Sequence, residues 1–376
     1  MFSIDVLRSG LPVITAPAEG TESVTVHVFV GAGSRYEQGN ERGISHFLEH
    51  MFFKGGRKYR STKEVSVAID SKGGDCNAFT GKEYAGYFVK VAAEHAELAC
   101  DVLSDMLLYA LFPQEDIERE RGVIIEEERM YQDTPMYRAG WDFEELLFGD
   151  HPLGWDTIGE EKVIRSVQQK DFRQYKERLY SPDNCTVVFA GNIDQARAVA
   201  LGEKYFGTLA GSKERAFVPF EHYGKEKVFL RSKKTEQSHL VLGVPAVGAL
   251  DKTGDISTRA GVDQSRLHEA IGLITQEYLL CAEKGVSDEE LQRAKDYLRG
   301  KFTLSLEDSE ERAHFYGKQK LLYPEVLDTD AYLARFDAVT KKQVDTLAAR
   351  LFTPENFRLV VIGKEDNKAA MEESLA

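Results

Sequence analysis

Residues 166–191, SVQQKDFRQYKERLYSPDNCTVVFAG, and residues 338–363, AVTKKQVDTLAARLFTPENFRLVVIG, decide the architecture, because they align without a gap at an offset of 172. Arg178-Leu179 matches Arg350-Leu351, Pro182 matches Pro354, Asn184 matches Asn356 and Gly191 matches Gly363. Each copy reads as a helix, then a Pro-Asp/Glu-Asn turn, then an apolar β-run closed by glycine. Upstream, Glu115-Asp116-Ile117 pairs with Glu289-Glu290-Leu291, each opening a long helix. Self-similarity over this span means that one plan is used twice. The expected domains are 1–212 and 228–376, with a linker at 213–227 where Pro219 and a polar run interrupt the patterning.

Within the halves, short β-branched runs such as SVTVHVFV (23–30) and YAGYFVKV (84–91) alternate with amphipathic helices. A helix at 61–72 is expected to open on a capping box, Ser61 with Glu64, and to stop at Gly73-Gly74. The fold class is therefore α+β: two tandem homologous domains, each a mostly antiparallel sheet covered by helices on one face.

Composition narrows the function. The 376 residues suffice for two or three domains, and 42% apolar with 29% charged residues is ordinary for a globular chain. The net charge of −14, with no basic stripe, argues against nucleic acid; an acidic interior would attract basic peptides, the alternative being that most carboxylates form a solvated surface. Cys76, Cys100, Cys185 and Cys281 lie far apart without a C-x-x-C pair, which fits free thiols in a reducing compartment. No basic region precedes an apolar run at the N-terminus, and no uncharged stretch is long enough to span a bilayer. A soluble, cytoplasmic protein without membrane partners is expected, or else a mature form already processed.

The chemistry resides in His46-Phe47-Leu48-Glu49-His50, an H-x-x-E-H pattern. On a helix, positions 46 and 50 fall about 40° apart, so both imidazoles leave one face; Glu49 lies about 60° to the other side of His46. Two neutral nitrogen ligands beside a carboxylate base are what a hydrolytic zinc site needs. A further protein ligand is required, and the acidic helix near 114–132 offers several carboxylates. Helical angles place Glu120 and Glu127 within about 20° of each other, in the middle of a stripe formed by Ile117, Val123, Ile124, Met130 and Tyr131. Glu126 and Glu128 fall at its edges. A carboxylate on such a stripe needs a metal or a partner, so one ligand and one supporting residue are expected from this pair.

In these residues the sequence resembles the pitrilysin family of zinc metallopeptidases, the inverzincins, which includes insulin-degrading enzyme and the mitochondrial processing peptidase β subunit. The likeness takes in His46 to His50, Glu127 in Glu-Arg-Gly-Val-Ile-Ile-Glu-Glu, Gly-Ser-Arg-Tyr-Glu at 33–37, Asn77-Ala78-Phe79-Thr80 and His151-Pro152-Leu153-Gly154. It is nearest to short bacterial processing-protease-like members of two repeats. The resemblance implies a mitochondrial-processing-peptidase-like metallohydrolase fold and one Zn2+ per chain, held by His46, His50 and Glu127. It also implies Glu49 as general base and Glu120 as support. Phe53 matches an aromatic lining the pocket for the residue after the scissile bond. Asn77, Ala78 and Phe79 match the edge strand along which peptides add as a further strand. The second half, with Ala294 and Lys301 where Glu120 and Glu127 stand in the first, should act as wall and substrate support. Zinc-dependent endopeptidase action on unfolded peptides in an enclosed chamber follows, with a homodimer completing that chamber. The rivals are a non-catalytic core-type assembly subunit, whose metal motif would be eroded, and the active subunit of a heterodimeric processing peptidase.

One stretch is short. Matching Thr25 to His239 gives an offset of 214, whereas matching Ala93 to Asp263 gives 170, so the second repeat lacks about 44 residues between these points. In the family this interval carries helices and a Gly-rich loop with an arginine and a tyrosine that assist catalysis, and no segment here matches it. Leu250-Asp251-Lys252 and Thr253-Gly254-Asp255 look like interrupted ends of family segments, which favours residues left out over a true deletion. A break in peptide geometry, beyond the 3.8 Å between bonded Cα atoms, is expected between Ala249 and Ile256, at Lys252–Thr253.

Overall fold

The repeated asparagine turn has one job in both halves. In the structure, a computed structural model describing residues 2–214, 217–246 and 254–375, Asn184 Nδ2 donates to the Leu179 carbonyl at 2.8 Å. Asn356 Nδ2 donates to Leu351 at 2.9 Å, the residue that matches Leu179. Each amide satisfies a carbonyl left orphaned where a helix ends, and the chain turns from there into a buried strand. The junction expected at Lys252–Thr253 lies outside the described residues.

The first repeat runs β1 (Ser3–Val6), β2 (Pro12–Pro17), β3 (Ser23–Val30), α1 (Ile44–Phe52), α2 (Thr62–Asp70), β4 (Asp75–Thr80), β5 (Ala85–Ala92), α3 (Ala96–Leu108), α4 (Gln114–Asp133), α5 (Pro135–Phe148), α6 (Glu161–Ser166), α7 (Gln169–Leu179), β6 (Cys185–Gly191) and α8 (Gln195–Phe206). The second runs β7 (Val228–Ser232), β8 (Gln237–Ala246), β9 (Gly254–Asp263), α9 (Leu267–Lys284), α10 (Asp288–Ser305), α11 (Ser309–Leu322), α12 (Thr329–Asp337), α13 (Lys341–Leu351), β10 (Arg358–Gly363) and α14 (Lys368–Glu373). Ser61 caps α2 by accepting from the Glu64 N–H, as expected. The Glu64 carboxylate, however, reaches the Arg60 N–H at 2.8 Å rather than the cap residue's own.

Strand order in the first sheet is β1-β2-β6-β3-β5-β4, and in the second β7-β10-β8-β9. The second is the first without its outer strands: in each, one parallel pair (β2–β6, β7–β10) is followed by two antiparallel ones. Register carries the repeat to single residues. Thr25 lies opposite Ala190, and His239 opposite Ile362, so the offsets of 214 and 172 meet in one pairing. Ser23 faces Ala92 while Gln237 faces Asp263, an offset of 171 for the next strand, one more than sequence matching gives. Between β3 and β5 the first repeat holds α1, α2 and β4, whereas between β8 and β9 only residues 247–253 intervene. The shortened interval is thus the one that carries the metal motif in the first repeat.

Two compact units result, neither contiguous in sequence: Met1–Glu126 with Asp156–Val218 and Gly300–Ala331, and Glu127–Trp155 with Pro219–Arg299 and Tyr332–Ala376. In the first unit, alternation along β3 sends Val28 and Val30 towards α3 and α8, and Thr25, His27 and Phe29 towards α11. In the second, Leu240, Leu242 and Val244 pack with Leu267 and Ile271 of α9, while Val241, Val360 and Ile362 pack with Ala139 and Phe143 of α5. Both sheets are therefore covered on a second face as well, each by a helix from the other repeat. Asp142 of α5, fully buried, is fixed to β7 by a two-pronged bond from Arg231 at 2.6 and 2.7 Å and is bonded by Arg138.

His27 is the odd member of the first core. It is 1% exposed and stacks on Phe29 at 3.9 Å, and among the described residues neither ring nitrogen has a hydrogen-bond partner. Burial, and then the neighbouring His314, hold its pKa well below 6.5. The unfolded chain therefore takes up this proton first, and stability is lost as pH falls below about 6.5. His27→Phe removes two unpaired polar atoms and this term, so the drop in Tm between about pH 7 and pH 5 should narrow in that variant. An unchanged drop would show that His27 takes up its proton as readily in the folded chain as in the unfolded one. His46 and His314, also lowered, keep their own share of the acid sensitivity.

Candidate metal centre

Helix α1 starts where it does because Gly43, at φ +95°, takes a conformation that side chains disfavour; a Cβ there would also meet the Ile158 carbonyl at 2.3 Å. The buried Glu37 carboxylate then caps the helix, accepting from the N–H groups of Gly43 (2.8 Å) and Ser45 (2.9 Å) and from the Ser45 hydroxyl. Burial pushes this carboxyl up to about 7 against the pull of these donors. Phe47, Leu48, Met51 and Phe52 bury one side of α1 completely, which leaves His46, Glu49 and His50 half-buried on the other. The two imidazoles stand 4.8 Å apart, centroid to centroid. Burial and the neighbouring His50 lower the His46 pKa to about 3, so its ring is neutral near pH 7 and able to ligate.

The buried face of α4 differs from the expected stripe. Ile117, Glu120, Arg121, Ile124, Ile125 and Glu128 are buried, while Val123 and Met130 are 47% and 55% exposed. The face is centred nearer Ile117, Ile124 and Glu128, so Glu120 and Glu127 lie along one edge of it and not at its middle. Arg121 explains the rotation: its guanidinium donates to the carbonyls of Ile164 and Val167 and to Glu118, drawing that side inward. The edge is where a site must lie if its ligands are to meet both protein and substrate.

Along that edge, α4 brings Glu127 to the two histidines. One ligand atom from each of His46, His50 and Glu127 lies within 4.8 Å of the others. A tetrahedral zinc with bonds of ~2.1 Å sets its ligand atoms roughly 3.4 Å apart, so small side-chain movements close the set. Two imidazole nitrogens and one carboxylate oxygen are donors that zinc accepts. Glu120 stands behind His50: its Oε2 is 3.1 Å from His50 Nδ1, and its Oε1 is 2.8 Å from Lys54 Nζ. Burial raises the Glu120 carboxyl, but the bonds from His50 and Lys54 outweigh it, and the pKa is lowered. A proton held on His50 Nδ1 leaves Nε2 as the ligating atom.

Glu49 accepts a hydrogen bond of 2.6 Å from the Thr80 hydroxyl. Neither Thr80 nor Lys54 was singled out from the sequence, although two signals pointed to them. Thr80 is two residues beyond Ala78 on an alternating strand, and Lys54 is one helical turn past His50. Asn77, Ala78 and Phe79 lie on β4, at the edge of the first sheet, with Asn77 exposed. The Phe79 ring stacks on His314 at 5.4 Å, on the face opposite to Thr80 and Glu49, so only its backbone is turned to the edge. Phe53 is half-buried at the C-cap of α1, its N–H bonded to the His50 carbonyl.

Gly-Ser-Arg-Tyr-Glu ties these pieces together. A Cβ on Gly33 would meet the Gly81 carbonyl at 2.3 Å, so only glycine lets this loop touch the turn after β4. The Ser34 and Arg35 N–H groups donate to Gly81 and Lys82, the buried Arg35 side chain pairs with Glu83, and Glu37 caps α1. One five-residue loop thus fixes both the end of β4 and the start of α1.

An α+β chain of two repeats, carrying two histidines and two glutamates in this arrangement, falls in the class of two-domain zinc metallopeptidases. The comparisons with known proteins give the family. A model of insulinase, peptidase family M16, matches residues 12–150, which hold every site residue named above, and one of the M16 inactive domain matches residues 166–253. The uncharacterised zinc protease YmxG of Bacillus subtilis is 29% identical, over 96% of this chain and 98% of its own. An uncharacterised zinc protease of Streptomyces coelicolor is 31% identical, over 91% and 85%. A protease from Helicobacter pylori of known structure shares the fold, with a TM-score of 0.85 at 19% identity, over 96% of this chain and 99% of that one. The chain belongs to the M16 (pitrilysin) family of zinc metallopeptidases. The alignment to YmxG runs over 403 positions although this chain has 376 residues, so that relative carries residues with no counterpart here.

Proposed function

We propose that this protein is a zinc-dependent endopeptidase that hydrolyses unfolded peptides, acting as a processing-type protease. The observation that carries this reading is the convergence of His46, His50 and Glu127, with Glu49 on the same half-buried side of α1 as the histidines. Zinc, when bound there, supplies Lewis acidity towards a water and the scissile carbonyl. Glu49 takes the proton of the attacking water and returns one to the leaving amine, as its place beside the ligands and outside their set allows. Glu120, bridging His50 and Lys54, keeps the imidazole in its ligating orientation. β4 is the edge strand of its sheet, where an extended peptide can take the place of the Asn77 side chain that accepts from the Ala78 N–H at 2.9 Å, which favours unfolded chains over folded ones.

One zinc per chain accords with the one such donor group among the described residues. Phe53, at the end of α1, is proposed to meet the residue after the scissile bond. Four free thiols support a cytoplasmic setting, and among the described residues no helix is long and apolar enough to cross a membrane. A homodimer that encloses basic, unstructured peptides, with no nucleic-acid or membrane partner, completes the reading. The test is metal analysis of the purified protein, together with cleavage of an unstructured basic peptide and of a folded protein carrying the same sequence. Stoichiometric zinc and preferential cleavage of the free peptide are expected. Zinc-free protein that stays inactive after zinc is added overturns the reading.

A further inference from the structure

The bond between Thr80 and Glu49 joins the strand proposed to receive the peptide to the proposed base. An ionised carboxylate only accepts, so the Thr80 hydroxyl is the donor of this 2.6 Å contact to Glu49 Oε2. We propose that Thr80 is a positioning residue for Glu49, and that peptide docking along β4 sets the base through it. The proposal rests on the endopeptidase reading and deepens it.

The hydroxyl is well placed for the task. Alternation along β4 turns Cys76, Ala78 and Thr80 to one face, and the bond to Glu49 shows that this is the face towards α1. Thr80 is the last residue of the strand, and a β-branched side chain has few χ1 choices. The turn that follows is pinned: Gly81 N–H donates to the Tyr84 carbonyl, Ser34 N–H to Gly81 and Arg35 N–H to Lys82. The other end of the bond is equally constrained, because α1 is capped by Glu37 from the same loop. A glutamate has three side-chain torsions, and in this geometry the Thr80 bond fixes the last of them.

The chemistry follows from the oxygen that Thr80 holds. With Oε2 fixed there, the plane of the carboxylate is set, and Glu49 takes the proton from water and returns it to the leaving amine without having to reorient. A peptide adding to the backbone of Asn77–Phe79 stiffens the strand one residue from Thr80, so the gain appears in the chemical step and not only in binding.

The experiment compares wild type, Thr80→Val and Thr80→Ser in the full chain, on the same unstructured basic peptide, with zinc content measured for each. Valine keeps the shape and strand preference of threonine and removes only the hydroxyl. In Thr80→Val, kcat should fall by roughly 10- to 100-fold with KM and zinc content changed by less than about twofold, and Thr80→Ser should recover most of the rate. Wild-type kcat in Thr80→Val overturns the proposal, as does a change confined to KM, which would make the hydroxyl a peptide contact. Loss of zinc in Thr80→Val also overturns it, by making Thr80 part of the scaffold of the metal site. If wild type itself neither holds zinc nor cleaves the peptide, the endopeptidase reading falls first; a cleaving wild type with an equally active Thr80→Val sinks only this inference.

Discussion

Glu49→Gln should keep the fold and bind zinc as wild type does, while peptide cleavage falls by roughly 10²–10⁴-fold, the contribution of a general base. The expectation follows from where Glu49 stands. His46, His50 and Glu127 bring their ligand atoms together without it, and it accepts instead from the Thr80 hydroxyl. Glutamine has the same shape, and its carbonyl oxygen can still accept from Thr80, so neither α1 nor β4 has reason to move. What glutamine cannot do is take a proton from water. Metal analysis, the melting temperature and kcat/KM on one peptide decide the matter together. Cleavage at the wild-type rate in a zinc-loaded Glu49→Gln would remove Glu49 from the mechanism.

The sequence was most legible where the physics is local. The 172-residue offset holds to single residues because Asn184 and Asn356 close the same turn against matching leucines. H-x-x-E-H could be read because helical spacing alone puts two imidazoles on one side of α1. The angular reading of α4 grouped Glu120 and Glu127, which the structure sets beside the two histidines, but it misplaced the buried face. A stripe drawn through Val123 and Met130 assumes that apolar residues are inside, and both are exposed because Arg121 anchors the other side through two carbonyls. Side chain to backbone bonds of that kind leave no periodicity behind. The same holds for Thr80 and Lys54, whose partners are 31 and 66 residues away in sequence. The helices α5 and α11, each packed on the other repeat's sheet, were equally hidden, since an amphipathic helix does not record which sheet it will cover.

Glu127 and Glu120 give the sharpest division of labour, and their variants should separate it. Both carboxylates lie on the same edge of α4, two turns apart, and sequence spacing treats them alike. Their contacts do not. Glu127 brings an oxygen to the two histidine nitrogens, whereas Glu120 spends one oxygen on His50 Nδ1 and the other on Lys54. Replacing Glu127 by glutamine removes the only carboxylate of the proposed ligand set and leaves a neutral amide beside the two imidazoles to hold a divalent ion. Zinc should be lost on dialysis, and cleavage with it. Replacing Glu120 by glutamine leaves the three proposed ligands in place and weakens the bonds to His50 Nδ1 and Lys54 Nζ. Removal of such an outer partner typically costs about 10- to 100-fold in metal affinity or activity. Glu120→Gln should therefore still load zinc when the metal is in excess and regain part of its activity, while Glu127→Gln under the same conditions should not. Competition with a chelator of known affinity measures both. If Glu120→Gln lost the metal as completely as Glu127→Gln, Glu120 would have to be counted among the ligands. The second repeat offers no substitute, because Ala294 and Lys301 stand at the matching positions and no counterparts of α1 and α2 lie between β8 and β9 among the described residues.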